Sequence, residues 1–452
     1  MAQSIADALS RIKQDPMGVV GRGVVERVCA EFEHQWRDRE LDPATTIALF
    51  VRQVIHGNCP CAEVRHLGGC RFTASAYCQA RARLPLHIYQ WLLSEVIEAA
   101  LPATREQDHL WLGRHRTFHV DGSTFSMPDT RELRKAFGMP AGQKDGCGFP
   151  VAHLLVLFSA ATGLLLDAFA SPLRTGDLAQ MPEAHLHLDE GDVLVGDDCF
   201  GTYVHLALLL QAKLHGLFPV HHKRIVDFTP RRPHCPEGKK AVAGMPRSRW
   251  LKSLGHDDQI VEWFKPKAPP LWMSKEAYAE LPDSILVREL RRTVQRPGDA
   301  GPVTLTMVTT LSDHRTYGTK ALLGLRLRRW DVETNIRHLK TTMKMDVLRC
   351  QTEDGVRKEL AVFCLVYNLV RLVMLEAARR QEVPVARISF VDALRWVRHA
   401  RPGEVMPDLH VNPHRPNRAE PRCKKRRAKQ YDLMNRPRDQ LRRGLKNQRE
   451  RA

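Results

Sequence analysis

The feature that most constrains the fold is a change of apolar period between residues 111 and 221. The segments TFHVDGSTFSM, VAHLLVLFSAAT and GLLLDAFASP read as three successive strands. In the first, Thr117, His119 and Asp121 alternate with Phe118 and Val120, and Gly122 ends the alternation. Residues 177–187 and 203–215 carry helical periods on either side of a short apolar strand at 193–197, and 217–220 reads as another strand. Strands first, then helix and strand in turn, fit an α/β core. The flanks differ. Residues 1–110 read as a helical domain, with helical periods at 4–13, 24–35, 43–56 and 85–101 separated by Gly and Pro. Residues 222–317 hold the β-like runs QIVEWF, SILVREL and VTLTMVTTL with Pro-rich links, a β-rich insertion. Residues 318–402 return to helix and complete the core, and 403–452 form a basic tail expected to be disordered. There is no internal repeat.

The run LRLRRWDVETNIRHLKTTMKMDVLRC, residues 325–350, reads as a helix carrying an acid among bases. Arg329 lies four residues before Glu333, Arg337 four after and Lys340 seven after, so the four share one face. Such spacing usually marks a solvated face of ion pairs. Here three bases face one acid, whereas a self-satisfied surface would be nearer balance. A lone carboxylate between guanidinium and ammonium groups suits a site that holds a metal ion and grips a phosphate chain. Asp121 and Asp197 are placed to join it, each at the end of a strand pattern. Strand-end aspartates commonly just open turns, so neither is specific alone. Asp197 is preferred to Asp198 because it alternates in phase with Val193 and Val195. Three carboxylates on rigid elements can hold two Mg²⁺ ions, with water and substrate phosphate completing each shell.

On these residues the chain resembles bacterial insertion-sequence transposases of the DDE class, and specifically the insertion-sequence-four family. In that family the third carboxylate sits in a Tyr-x2-Arg-x3-Glu-x6-Lys pattern, which Arg329, Glu333 and Lys340 match in spacing. VDGSTFSMPDT is similar to the first-aspartate motif and GDDCFGTYVHLALLL to the second. KTTMKMDVLRCQTEDGVRKELAVFCLVYNLVR is similar to the helical segment after the glutamate, so the resemblance covers roughly residues 70–380. It departs at Arg326, where the pattern has tyrosine, and at Asp198, where relatives often have arginine. Residues 303–310 also lack the tryptophan that many relatives use to stack a base; Trp263 and Trp272 elsewhere in the insert are either core or stacking residues.

The resemblance implies an α/β fold with an RNase H-like catalytic core, a β-rich insertion, an N-terminal helical domain and a basic C-terminal tail. It implies that Asp121, Asp197 and Glu333 are both catalytic residues and metal ligands. They would hold two Mg²⁺ ions per site, with Mn²⁺ as a substitute. Arg329 and Lys340 would hold phosphates near the cut. The expected reaction is cleavage of double-stranded DNA at terminal inverted repeats, hairpin formation, and insertion into target DNA by a DNA-bound homodimer. Two other classes stay open: a nuclease with the same core that cuts without joining, and an impaired, transposase-derived DNA-binding protein, against which the intact triad argues and for which Arg326 and Asp198 argue mildly. Joining of a pre-cut end separates the first; metal-dependent cleavage separates the second.

Composition agrees with a polyanionic partner. The net charge is +18 and the pI about 9.6. Residues 415–452 hold 15 Lys/Arg against 4 Asp/Glu, so +11 of the +18 lies in the tail. Lys424, Lys425, Arg426 and Arg427 there either touch phosphate or act as a solubilising run. Arg337, Arg326, His222 and Lys223 are further candidate DNA contacts, and the N-terminal helices either enter a groove or form a scaffold. No signal peptide is visible, and the best apolar run, 361–375, is broken by Asn368 and Arg371. The expectation is a cytoplasmic, nucleoid-associated bacterial protein without membrane contact. Eleven cysteines without an export signal suggest reduced thiols; Cys59, Cys61, Cys70 and Cys78 cluster, but their spacing fits no ordinary zinc pattern. His185-Leu186-His187 beside Asp189 and Glu190 reads as exposed loop. No phosphate-binding or dinucleotide loop calls for ATP or NAD.

Overall fold

The run Val151–Ser159 shows why the molecule is layered. Leu154, Val156 and Phe158 pack into one apolar cluster and Leu155 and Leu157 into another. A strand that is apolar on both sides must be covered on both sides. The computed structural model describes residues 22–37, 39–68, 71–104, 110–141, 144, 146–235, 242–295, 301–400, 404–413, 434 and 436–449.

Five helices come first: α1 (Arg22–Glu31), α2 (Pro43–Ile55), α3 (Cys61–Gly68), α4 (Ala74–Arg83) and α5 (Leu86–Thr104). Asp42 caps α2 by accepting the Thr45 N–H at 2.7 Å, and Pro43 is preset for its first turn. The core follows as β1 (Thr117–Ser126), α6 (Arg131–Phe137), β2 (Val151–Ser159) and β3 (Leu165–Pro172). A 3-10 turn at Asp177–Gln180 leads into α7 (Met181–His185), β4 (Val193–Val195), α8 (Tyr203–Gln211) and β5 (His215–Pro219). Next are β6 (Ser248–Gly255), β7 (Asp258–Phe264), α9 (Lys275–Ala279), β8 (Ser284–Val294) and β9 (Val303–Thr309).

All nine strands form one sheet in the order β3-β2-β1-β4-β5-β9-β8-β7-β6. β1, β2 and β3 are antiparallel neighbours, whereas β4 runs parallel to both β1 and β5. This half is a mixed five-stranded sheet with an antiparallel and a parallel part. β9 pairs antiparallel with β5, and β8, β7 and β6 follow antiparallel. The β-rich segment therefore extends the core sheet across β5.

The chain then forms α10 (Thr319–Leu327), α11 (Trp330–Arg337), a π-helical turn at His338–Thr342, α12 (Glu353–Arg380), α13 (Phe390–His399) and α14 (Arg438–Arg449). Two expectations are corrected here. Helix α12 contains an 18-residue window of mean hydropathy 1.9, long and apolar enough to cross a membrane by length and composition; that window is 94% buried within the protein, where it forms the spine of the helical core. Asn368 does not interrupt it, because its amide bonds both the N–H and the C=O of Leu165 on β3. The tail is not wholly without structure: Arg438 at the start of α14 bonds Asp129 at 2.6 Å and lies 4.0 Å from the Phe149 ring centroid. The expected helix at 4–13 lies outside the described residues.

Candidate active site

Alternation along β1 sorts its side chains between two layers. Phe118 and Val120 enter the cluster with α8, while Phe125 enters the cluster with α12. Asp121 shares the odd-numbered face with Phe125. On β4, Val193 and Val195 pack with Leu322 and Leu325 of α10, and Leu194 packs with α8. The parallel register sets His119 opposite Val195, so Asp121 and Asp197 each follow their registered residue by two.

Glu333 comes from the helical layer. The expected single helix over 325–350 is in fact segmented. Asp331 N–H bonds Arg328 O and Val332 N–H bonds Arg329 O, a three-residue step that joins α10 to α11. After α11, Met343 N–H bonds His338 O in the wider π turn, and Lys344 at φ +69° stops the helix. Glu333 thus sits in the first turn of α11, where the helix dipole favours a negative charge.

Arg329 links two of the three carboxylates. Its Nη1 donates to Asp121 Oδ2 at 3.0 Å and its Nη2 to Glu333 Oε1 at 2.9 Å. Its Nε is buried with no acceptor among the described residues. Gly122 N–H donates to Asp121 Oδ1 at 3.0 Å, and Cys199 N–H donates to Asp197 Oδ1 at 2.9 Å. Burial pushes the Asp121 carboxyl up to about 6; Arg329 pulls it down, and the charges of Asp197 and Glu333 push it up again. Burial and then the Asp197 and Asp177 carboxylates push the Cys199 thiol well up, so it stays protonated.

Lys340 reaches the same edge from the π turn and donates to Ser123 Oγ at 3.1 Å. Burial lowers its ammonium pKa, with Asp346 opposing. Sequence reasoning missed Ser123, although it alternates in phase with Asp121. It also missed Asp177, which lies 2.8 Å from His153 Nε2 and 3.6 Å from Cys199 Sγ. Asp177 covers Gly122 so closely that a Cβ there would lie 2.4 Å from its oxygen. No motif or period marks Asp177, because its neighbours come from three separate strands and turns.

The other candidates separate. Arg337 is exposed and lines a cavity of about 660 Å³ with Arg328, Asp331, His338 and Arg371, away from the Ser123 edge. Arg326 ends α10, and its charge bears on buried His119; burial first, then Arg328, Arg329 and Arg326, hold that imidazole neutral with a pKa lowered to about 3. His222 Nδ1 is 3.6 Å from Asp198 Oδ2, and Lys223 beside it is exposed. Lys424, Lys425, Arg426 and Arg427 lie outside the described residues.

Trp263 is fully buried, donates to Glu289 and lies under the Arg224 guanidinium at 3.4 Å; Trp272 packs partly buried on the same cluster. Both belong to the core. His185 is not an exposed loop residue: it is buried at the end of α7 with its Nε2 3.1 Å from that of His205, because α7 packs on α8. His187 is 3.1 Å from Asp167, while Asp189 and Glu190 pair with Arg116 and Lys213. Cys61 and Cys78 sulfurs are 3.5 Å apart, Cys59 is buried nearby, and Cys70 lies outside the described residues.

Comparison with known proteins places the chain in a class. The family model for the transposase DDE domain matches residues 112–369, more than half of the sequence, and the chain belongs to that family. It is 27% identical over 148 residues to "Putative transposase InsZ" of Escherichia coli strain K12, a stretch covering 32% of this chain and 49% of that protein. The chain thus spans about half the length of that curated relative. A cryo-EM structure of a piggyBac transposase synaptic complex with hairpin DNA aligns over 87% of this chain and 79% of that one, at 10% identity and a TM-score of 0.40.

Proposed function

We propose that this protein is a DNA transposase that cleaves and joins strands at the ends of an insertion sequence, using Asp121, Asp197 and Glu333. The observation that carries the reading is Arg329 bonded to both Asp121 and Glu333 while Asp121 also feels Asp197. Arg329 is bonded to two carboxylates, and Asp197, two residues past β4, adds its charge at Asp121, so the site has an excess of negative charge. Hard oxygen donors in that state fit divalent cations such as Mg²⁺, with Mn²⁺ as a substitute. When bound, two such ions would lower the pKa of the attacking water and stabilise the leaving oxygen.

The chain's own residues do the rest. Arg329 orients Asp121 and Glu333 through its two Nη groups. Lys340 presents a partly dehydrated ammonium beside Ser123, suited to a phosphate next to the cut. The buried floor of β1 and β4 holds the aspartates in fixed register. The motif spacing supports placement in the insertion-sequence-four family, and with it hairpin ends, cut-and-paste transfer, inverted-repeat DNA and a dimer on DNA.

The test is nicking of an end-containing duplex in Mg²⁺ by full-length protein. Asp121→Ala, Asp197→Ala and Glu333→Ala should each lose nicking by several orders of magnitude while retaining DNA binding, because carboxylates serve the ions and bases serve the phosphates. Asp198→Ala should still nick. An inactive Asp198→Ala beside an active Asp197→Ala would reverse the assignment. Joining of a pre-cut end by wild type separates a transposase from a nuclease.

A further inference from the structure

Beside the triad lies a second group of ligand-type side chains. Asp198 faces His221 and His222, which follow β5. One donor atom from each lies within 4.8 Å of the other two. His222 Nδ1 is 3.6 Å from Asp198 Oδ2, and the two imidazole centroids are 4.2 Å apart. The Asp198 side chain is 45% exposed and that of His222 70%, so a hydrated ion can reach both.

Backbone contacts bring the two segments together. Val195 and Leu217 are opposite each other in the parallel pair β4 and β5. Gly201, which closes the turn after Asp198, lies so near the end of β5 that a Cβ there would be 2.4 Å from the Pro219 carbonyl oxygen. The histidine turn is pinned in its turn: Val220 N–H donates to Thr306 O at 2.9 Å, and Arg224 N–H donates to His221 O at 2.8 Å. The main chain thus brings the segment that carries Asp198 beside the one that carries His221 and His222.

We propose that Asp198, His221 and His222 form a binding site for a borderline transition-metal dication such as Zn²⁺, separate from the triad. Imidazole favours such ions, whereas Mg²⁺ takes oxygen ligands. Three protein ligands leave one tetrahedral position to water. A bound ion would tie the turn after β4 to the turn after β5, and so steady the peptide that carries Asp197. The competing description is an exposed His–Asp contact of little energy.

Calorimetric titration of chelator-treated full-length protein with Zn²⁺, in a large excess of Mg²⁺, counts the sites that Mg²⁺ does not fill. Cysteine sulfurs also take Zn²⁺, so the result is read as a difference between variants. The His221→Ala/His222→Ala double variant should bind one equivalent fewer than wild type. Asp198→Asn should retain that equivalent at least roughly tenfold more weakly. Zn²⁺ should also raise the melting temperature of wild type more than that of the double variant. Unchanged stoichiometry and unchanged melting response in the double variant would overturn the proposal. So would release of that equivalent by Mg²⁺. Circular dichroism establishes that the variants fold, and the exposed single variant His222→Gln repeats the comparison with minimal disturbance. No DNA enters the measurement, so its outcome is independent of whether the triad cleaves.

Discussion

In the antiparallel extension, Arg288 meets Asp258 edge to edge. Nε donates to Oδ1 at 2.8 Å and Nη2 to Oδ2 at 2.6 Å, while Nη1 takes the Tyr317 carbonyl at 2.6 Å. Both side chains are almost fully buried, and Thr319 Oγ1 donates to Asp258 Oδ2 at 3.1 Å. In the core half of the sheet, Arg329 is shared between Asp121 and Glu333, feels a third carboxylate through Asp121, and leaves Nε without an acceptor. The first arrangement is balanced in charge and satisfied in hydrogen bonds, so it fastens β7, β8 and the start of α10. The second is unbalanced, unsatisfied and open at Glu333, whose side chain is 40% exposed. A structural pair closes its own account, whereas a site for ions and phosphate keeps donors and charge in reserve.

The largest expected effect breaks the satisfied pair. Arg288→Ala would leave Asp258 buried and uncompensated, and should cost about 3–5 kcal/mol in denaturant unfolding. Arg329→Ala should cost clearly less, because Glu333 keeps solvent access, yet should cut Mg²⁺-dependent cleavage severely. Equal stability losses for the two variants would mean that Arg329 is also a fastener.

The next effect exploits the pKa of Asp121. Its folded-state value of about 6 lies above the ordinary aspartate value of 3.8. A raised folded-state pKa means that the folded protein favours the protonated carboxyl. That stabilisation is complete below about pH 4 and is lost as pH rises through about 6. Without divalent ions, Asp121→Asn should therefore be more stable than wild type at pH 7–8 by roughly 3 kcal/mol, the equivalent of about two pKa units. The gain should vanish near pH 4, and Mg²⁺ should narrow it at pH 7–8 by stabilising wild type. A pH-independent difference between the two proteins would show that Asp121 is not held at this charge imbalance.

These contrasts were only partly legible in the sequence. Alternation placed Asp121 on β1, and phase with Val193 and Val195 singled out Asp197, which lies two residues past the end of β4. Spacing alone put Arg329 one turn before Glu333, where the two pair, but it set Arg337 on the same face, and Arg337 lines a separate cavity. The break itself was not legible, because neither the 3-10 step at Asp331–Val332 nor the π turn at His338–Thr342 contains a Gly or Pro. The Arg288–Asp258 pair was equally hidden: the partners are thirty residues apart, and only the β7–β8 register brings them together. The buried His185–His205 contact was missed for the same reason, a contact between two helices that no local period encodes.

The smallest effect separates fastening from function at Lys340. Its ammonium donates to Ser123 Oγ, and burial lowers its pKa. If the ammonium waits for a phosphate, Lys340→Ala should slow single-turnover cleavage by the equivalent of about 1–3 kcal/mol and reduce the salt slope of DNA binding by about one. Its melting temperature should move little, because an ammonium–hydroxyl bond at a partly exposed edge competes with water and its loss costs about 1–2 kcal/mol. Lys340→Arg keeps the charge but changes a point donor into a planar fork, so it should restore most of the salt slope and less of the cleavage rate. A variant that melts earlier but binds and cuts DNA at the wild-type rate would place Lys340 with Arg288, as a fastener between the π turn and β1.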